Sequence, residues 1–206
     1  MLELIEKVSH QLKKPLPGQE AQYRMATAFR YNRMPAPAGA VKASVLALFY
    51  PKGDQWHIVL IERASRYVQD RHRGQISFPG GRFEPSDPSL EYTALREAEE
   101  EIGIDAGKVE VLGQLTELYI PVSNFLVYPY VAYTDEYPTF TPQPSEVANI
   151  LEVPFDHFLS DQNVRTMDMT VRENIRLKDV PYFDISGKVL WGATAMMMSE
   201  LLALVE

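Results

Sequence analysis

Three glutamates, Glu97, Glu100 and Glu101, stand at i, i+3 and i+4 in the run Arg96-Glu97-Ala98-Glu99-Glu100-Glu101-Ile102-Gly103. On a helix, that spacing puts all three carboxylates on one face. Like charges so placed oppose helix formation by about 0.2–0.5 kcal/mol per pair. No lysine four residues on relieves Glu97, because that position is Glu101 itself. A cation removes such repulsion. Carboxylate oxygens are hard ligands suited to Mg²⁺ or Mn²⁺, and those ions bridge the oxygens of phosphates. An acidic cluster standing alone is more often a solvated face. This one has company: Gly80-Gly81 ends an apolar stretch upstream. Paired glycines let backbone come close to a ligand or metal, so a carbonyl at Gly80 could complete a shell begun by the helix.

A second set of residues suits phosphate. Arg63, Arg66, Arg71, Arg73 and Arg82 fall within twenty positions of a chain whose net charge is -8. The planar guanidinium fork matches phosphate oxygens. Ion pairing with Glu62, Asp70 and Glu84 is the alternative use. His72 lies among these arginines, where it could meet a phosphate or a transferred proton, or simply hydrogen-bond the loop backbone.

The elements that must position these groups are legible in outline. Asp87 reads as an N-cap, Pro88 as the first helical residue and Gly103 as the residue past the last turn. Leu95, Ala98 and Ile102 form the buried stripe of that helix. Upstream, 42–50 and 55–63 are apolar runs joined by Pro51-Lys52-Gly53-Asp54, a hairpin signal, and a short strand is expected over 74–78. Further strands are expected over 109–120, 125–133, 147–153 and 178–183, with a last helix from about Lys188 to Val205. Residues 1–32 look helical, interrupted by the prolines at 15 and 17. One α/β domain with a mixed sheet and flanking helices follows.

Composition narrows the function classes. With 206 residues, 46% of them hydrophobic, the chain can bury one large core. An acidic balance gives no general attraction to nucleic acid or an anionic membrane, so neither is an expected partner. Cysteine is absent, which leaves carboxylate, imidazole and carbonyl groups as metal ligands. The N-terminus lacks the apolar core of a signal peptide, and the most apolar C-terminal stretch carries Glu200 within it. A cytoplasmic location is therefore expected.

The stretch from Gly81 to Ile104 resembles the Nudix box. Gly81, Asp87, Arg96, Glu97, Ala98, Glu100, Glu101, Gly103 and Ile104 fill the places of its glycine, acidic residue and Arg-Glu-apolar-x-Glu-Glu-x-Gly-apolar core. Asp87 stands where the pattern has glutamate, and the spacing from it to Arg96 is one residue longer. Upstream, Val59 to Ala64 and His72-Arg73-Gly74-Gln75-Ile76-Ser77-Phe78-Pro79-Gly80-Gly81 are similar to the signature of the coenzyme A pyrophosphatase branch. Ser145-Glu146-Val147, Leu151 to Pro154 and Trp191 to Ala195 extend the resemblance, which covers roughly residues 40–200.

The resemblance implies a Nudix-type α/β/α sandwich with a mixed sheet and the loop-helix-loop of the box. Residues 36–206 would form this domain, and 1–35 a helical appendage or a contact for a second copy in a homodimer. It implies Mg²⁺- or Mn²⁺-dependent attack of water on a pyrophosphate, giving 3′,5′-ADP and 4′-phosphopantetheine from coenzyme A. Glu97 and Glu101 are the first metal ligands, Glu100 a ligand or base, Arg96 the holder of a carboxylate and Glu146 the candidate base outside the box. Gly80 would add a metal ligand, and Arg63, Arg71, Arg73, His72 and Gly81 would line the substrate. Tyr119, Phe125, Tyr128 and Tyr130 could stack on adenine, although aromatics in strands more often belong to the core. Met196-Met197-Met198 reads as packing. Other substrates the family allows are ADP-ribose and dinucleoside polyphosphates. A non-catalytic nucleotide-sensing module is the rival of a different class, but such modules lose box carboxylates that are intact here.

Overall fold

The computed structural model describes residues 2–27, 34–64, 74–171 and 175–206. Two long strands, β1 (Val41–Lys52) and β2 (Gln55–Arg63), form the expected hairpin. They pair only near its turn, from Phe49 opposite Ile58 to Lys52 opposite Gln55. Beyond that they fork. β3 (Ile76–Ser77) pairs with β2, and β4 (Gly80–Arg82) with β1, so the segment linking them fills the fork. Gly80 has φ +151, and a Cβ there would lie 2.3 Å from the carbonyl oxygen of Ser44. Only glycine allows this close passage.

The sheet widens on both sides. β7 (Phe125–Tyr133) runs parallel to β1, with β5 (Glu110–Gln114) and β6 (Leu118–Ile120) antiparallel to it. β8 (Val147–Pro154) pairs with the outer side of β2, giving, among the described residues, eight strands of mixed direction. On one face lies α3 (Leu90–Ile102), whose Ala94, Ala98 and Ile102 pack on Leu46, Leu48, Val59, Ile61 and Ala132. On the other lie α1 (Leu2–Leu12), α2 (Gly18–Tyr23) and α5 (Gly192–Ala203). The small helix α4 (Phe155–Phe158) follows β8. This is the expected α/β/α sandwich.

Several expectations need correcting. Ser89, not Asp87, caps α3: its backbone is extended and its hydroxyl accepts the N–H of Tyr92. Pro88 therefore precedes the cap. Leu95 is only partly buried, while Ala94 joins the stripe. The segment 109–120 is two strands, and 74–78 contributes only Ile76–Ser77. The final helix begins at Gly192; Lys188–Trp191 is instead β11, held by pairing with β10 (Ile175–Ile185). Its partner β9 (Val164–Val171), absent from the sequence reading, completes a separate antiparallel sheet. Five of the eight residues of β9 are exposed and none is buried, so it lacks the apolar run that marks the other strands.

The N-terminal segment shares the core of the α5 face through Ile5 and Val8 of α1 and through Met25 and Ala26 just after α2. A buried polar knot fastens it. Glu200 of α5, 0% exposed, accepts the backbone N–H of Gly18 and Thr116 and the side-chain N–H of Gln22. Met196, Met197 and Met198 are buried in the same layer, as expected. Among the described residues, no helix is long and apolar enough to cross a membrane.

Candidate active site

α3 places its carboxylates over the filled fork. Gly103, at φ +70, ends the helix by donating its N–H to the Glu99 carbonyl, as the sequence predicts. Glu101, one residue short of the buried end, is 2% exposed. Its Oε2 accepts the N–H of Gly80 at 2.8 Å, and Arg63 Nη1 lies 3.4 Å from its Oε1. Burial raises its carboxyl to about 7; Gly80 and Arg63 pull the other way, and the charges of Glu97 and Glu146 add to the rise.

Glu97 lies one turn earlier against Gly81. A Cβ at Gly81 would sit 2.3 Å from Glu97 Oε2, so this glycine makes room for the carboxylate. Burial raises Glu97 above the ordinary carboxylate range; Arg96 opposes that, while Glu100 and Glu146 reinforce it.

Arg96 is the hub that fixes these groups. It grips Asp87 with two prongs, Nε to Oδ1 at 2.9 Å and Nη2 to Oδ2 at 3.1 Å. It also reaches Glu97 Oε1 at 2.9 Å, Glu100 Oε2 at 3.2 Å and the Arg82 carbonyl at 3.3 Å. Asp87 also accepts from Thr93 Oγ1 and the Glu84 N–H, and its hydrogen bonds to Arg96 take it down to about 2. The residue expected to cap the helix is thus a buried anchor for the arginine. Its short side chain and the Thr93 hydroxyl beside it were the available signal, without a geometry to join them.

Glu146 approaches the cluster from the turn before β8, on the same side of the sheet as α3, where Val147 packs in the α3 core. Its turn is tied to the end of α3 by Gln143 N–H to the Glu101 carbonyl, 2.9 Å, and to β2 by Ala64 N–H to its own carbonyl, 2.7 Å. Its side chain is exposed, and its charge acts on both Glu97 and Glu101. The fold therefore brings Glu97, Glu101, Arg96, Gly80, Gly81 and Arg63 into one neighbourhood, with exposed Glu100 held by Arg96 and Glu146 acting through its charge. Arg66, Tyr67, Arg71, His72 and Arg73 lie outside the described residues. Tyr130 is half-buried beside α3, Phe125 packs on the opposite core, and the Tyr119 hydroxyl donates to Asn124.

The donor set fits a hard divalent cation. Buried Glu101 and partly buried Glu97 act on each other electrostatically with the charge of Glu146 nearby, and Arg96 spends its donors on Asp87, Glu97, Glu100 and Arg82. Among the described residues, no three His, Asp or Glu side chains come together to hold a metal ion, so protein carboxylates would supply only part of a shell. Water, backbone carbonyl or phosphate oxygens would supply the rest, as is usual for Mg²⁺.

Comparison with known proteins agrees. The NUDIX domain family matches residues 40–172. The uncharacterized Nudix hydrolase NudL of Photorhabdus laumondii is 37% identical over 143 residues, covering 69% of this chain and 74% of that protein. Nudix hydrolase 22, chloroplastic, of Arabidopsis thaliana is 34% identical over 177 residues, 82% of this chain but 57% of that longer protein. In fold, the chain is similar to the crystal structure of RenU, a Nudix hydrolase from M. smegmatis, with TM-score 0.54, 20% identity, and 81% of this chain and 86% of that chain covered. A MutT/nudix family protein from Enterococcus faecalis gives TM-score 0.53 at 16% identity, with coverage of 91% and 73%. The box, its carboxylate geometry and these matches have one meaning: the chain belongs to the Nudix family.

Proposed function

We propose that the protein is a divalent-metal-dependent pyrophosphohydrolase acting on coenzyme A or one of its derivatives. The observation that carries the hydrolase reading is the placing of partly buried Glu97 and buried Glu101 against the Gly80-Gly81 turn, with Arg96 shared among Asp87, Glu97 and Glu100. Glu97 and Glu101 would hold the divalent cation, which when bound would neutralise charge on the phosphate oxygens and lower the pKa of water. The remaining work falls to this chain's own residues. Arg96 keeps Glu97 and Glu100 oriented, and the Gly80 N–H fixes Glu101. Glu146 accepts the proton of the attacking water as its oxygen bonds to phosphorus and the bridging P–O bond breaks. Arg63 stands where a phosphate oxygen could take a guanidinium donor.

The coenzyme A reading rests on the element from Val59 to Gly81, which resembles the signature of that branch, and on Arg63, which among the described residues of that element meets the Glu101 carboxylate. Coenzyme A, dephospho-coenzyme A, ADP-ribose and a dinucleoside tetraphosphate should be incubated with the protein and Mg²⁺ or Mn²⁺, and the products separated by chromatography. Coenzyme A should be consumed fastest, giving adenosine 3′,5′-bisphosphate and 4′-phosphopantetheine. Preferred cleavage of ADP-ribose or the dinucleotide would overturn the substrate assignment but keep the hydrolase. No cleavage of any member would favour a nucleotide-sensing module.

A further inference from the structure

Arg63 holds Glu101 differently from the way Arg96 holds Asp87. Arg96 uses two short prongs, 2.9 and 3.1 Å, and its side chain is 16% exposed. Among the described residues, the Arg63 side chain makes one ion-pair contact, at 3.4 Å, and is 33% exposed. Yet the Arg63 backbone is firmly placed. Its N–H donates to the Gln75 carbonyl at 3.0 Å, its carbonyl accepts from Gly74 at 2.9 Å, and the next N–H donates to the Glu146 carbonyl. The strand is fixed and only the side chain has freedom to swing. Its target is a carboxylate 2% exposed, which is costly to bury without a positive neighbour.

We propose that Arg63 is an internal counter-ion, standing in for the metal at Glu101 and released toward a substrate phosphate when the cation binds. This rests on Glu97 and Glu101 being the metal site. A cation at Glu101 repels the guanidinium and takes over its role as neutraliser. The long single contact allows the exchange, whereas the two-pronged Arg96 grip keeps the neighbouring carboxylates in place throughout. Arg63 thereby lowers the intrinsic affinity for metal and couples metal binding to phosphate binding.

The test is titration of metal-free protein with Mn²⁺, read by electron paramagnetic resonance of the free ion, together with melting temperature with and without Mn²⁺. Arg63→Gln should bind Mn²⁺ about three- to tenfold more tightly than wild type, the range expected for removing one partly exposed opposing charge. Without metal it should melt lower, and Mn²⁺ should raise its melting temperature by more than it raises that of wild type. Arg63→Lys, which keeps the charge, should bind Mn²⁺ as wild type does. Equal or weaker Mn²⁺ binding by Arg63→Gln, beside normal binding by wild type, would overturn the counter-ion role alone. A merely structural role would lower both melting temperatures equally and leave the affinity unmoved. If wild type itself bound no Mn²⁺, the metal-site reading would fall, and this inference with it.

Discussion

Two glutamates are buried on opposite faces of the main sheet, and they are solvated in different ways. Glu200 in α5 is 0% exposed and accepts three N–H groups, from Gly18, Thr116 and Gln22. Glu101 in α3 is 2% exposed and accepts one backbone N–H, from Gly80, with Arg63 at a longer distance. Neutral donors satisfy Glu200, and what they join is architecture: the N-terminal segment, the loop before β6 and the last helix. Glu101 instead feels the charges of Glu97 and Glu146. Burial alone therefore does not mark a functional carboxylate. The useful distinction is between a carboxylate whose lone pairs are answered by fixed donors and one crowded by its own kind.

The largest effect should separate the two at once. Glu101→Gln keeps the side chain's shape and removes its charge; turnover of the pyrophosphate substrate should fall by about 10²–10³-fold or more, the scale of lost metal assistance. Circular dichroism should show the fold retained. Glu200→Gln should keep most of its turnover per folded molecule, and similar losses in both variants would erase the distinction.

Glu146 sharpens the comparison from the catalytic side. Glu146→Gln should lower kcat by about 10²-fold, the lower end of general-base contributions, with little change in KM. The acidic limb of the pH–rate profile should flatten. An unchanged kcat and limb would move the base to Glu100.

Stability is where Glu200 should matter more. Glu200→Ala takes the acceptor from three donors, one buried and two part-buried, and should cost about 2–4 kcal/mol. For a chain of this size that is a fall of roughly 5–15 °C in melting temperature. Smaller still is a pH effect on metal-free protein. Because the Glu101 carboxyl is raised from 4.5 to about 7, the folded state binds the extra proton between those values. That contribution is full below about pH 4.5 and is lost as pH rises through 7. Urea unfolding across this window should show wild type losing stability with pH, with a shallower slope in Glu101→Gln. Identical slopes would mean that Glu101 titrates like an exposed carboxyl.

How much of this the sequence disclosed depended on how local the cause was. The α3 face was readable because i, i+3 and i+4 spacing is a local rule, and Gly103 because a left-handed residue after a helix is local too. The fork between β1 and β2 was not readable: Gly80 matters through a strand thirty-five residues away, at Val45. Asp87 was misplaced as a cap because two capping residues, Asp87 and Ser89, stood two positions apart, and only the distant Arg96 decides between them. The Glu200 knot gave a sequence signal, a charge inside an apolar helix, but its partners lie 84 to 182 positions away.

The most direct test of the central claim compares Mn²⁺ binding by metal-free wild type, Glu101→Gln and Glu200→Gln at neutral pH, using electron paramagnetic resonance. The account predicts that wild type and Glu200→Gln bind alike, while Glu101→Gln loses affinity by at least about tenfold. Binding by Glu101→Gln equal to wild type would contradict it.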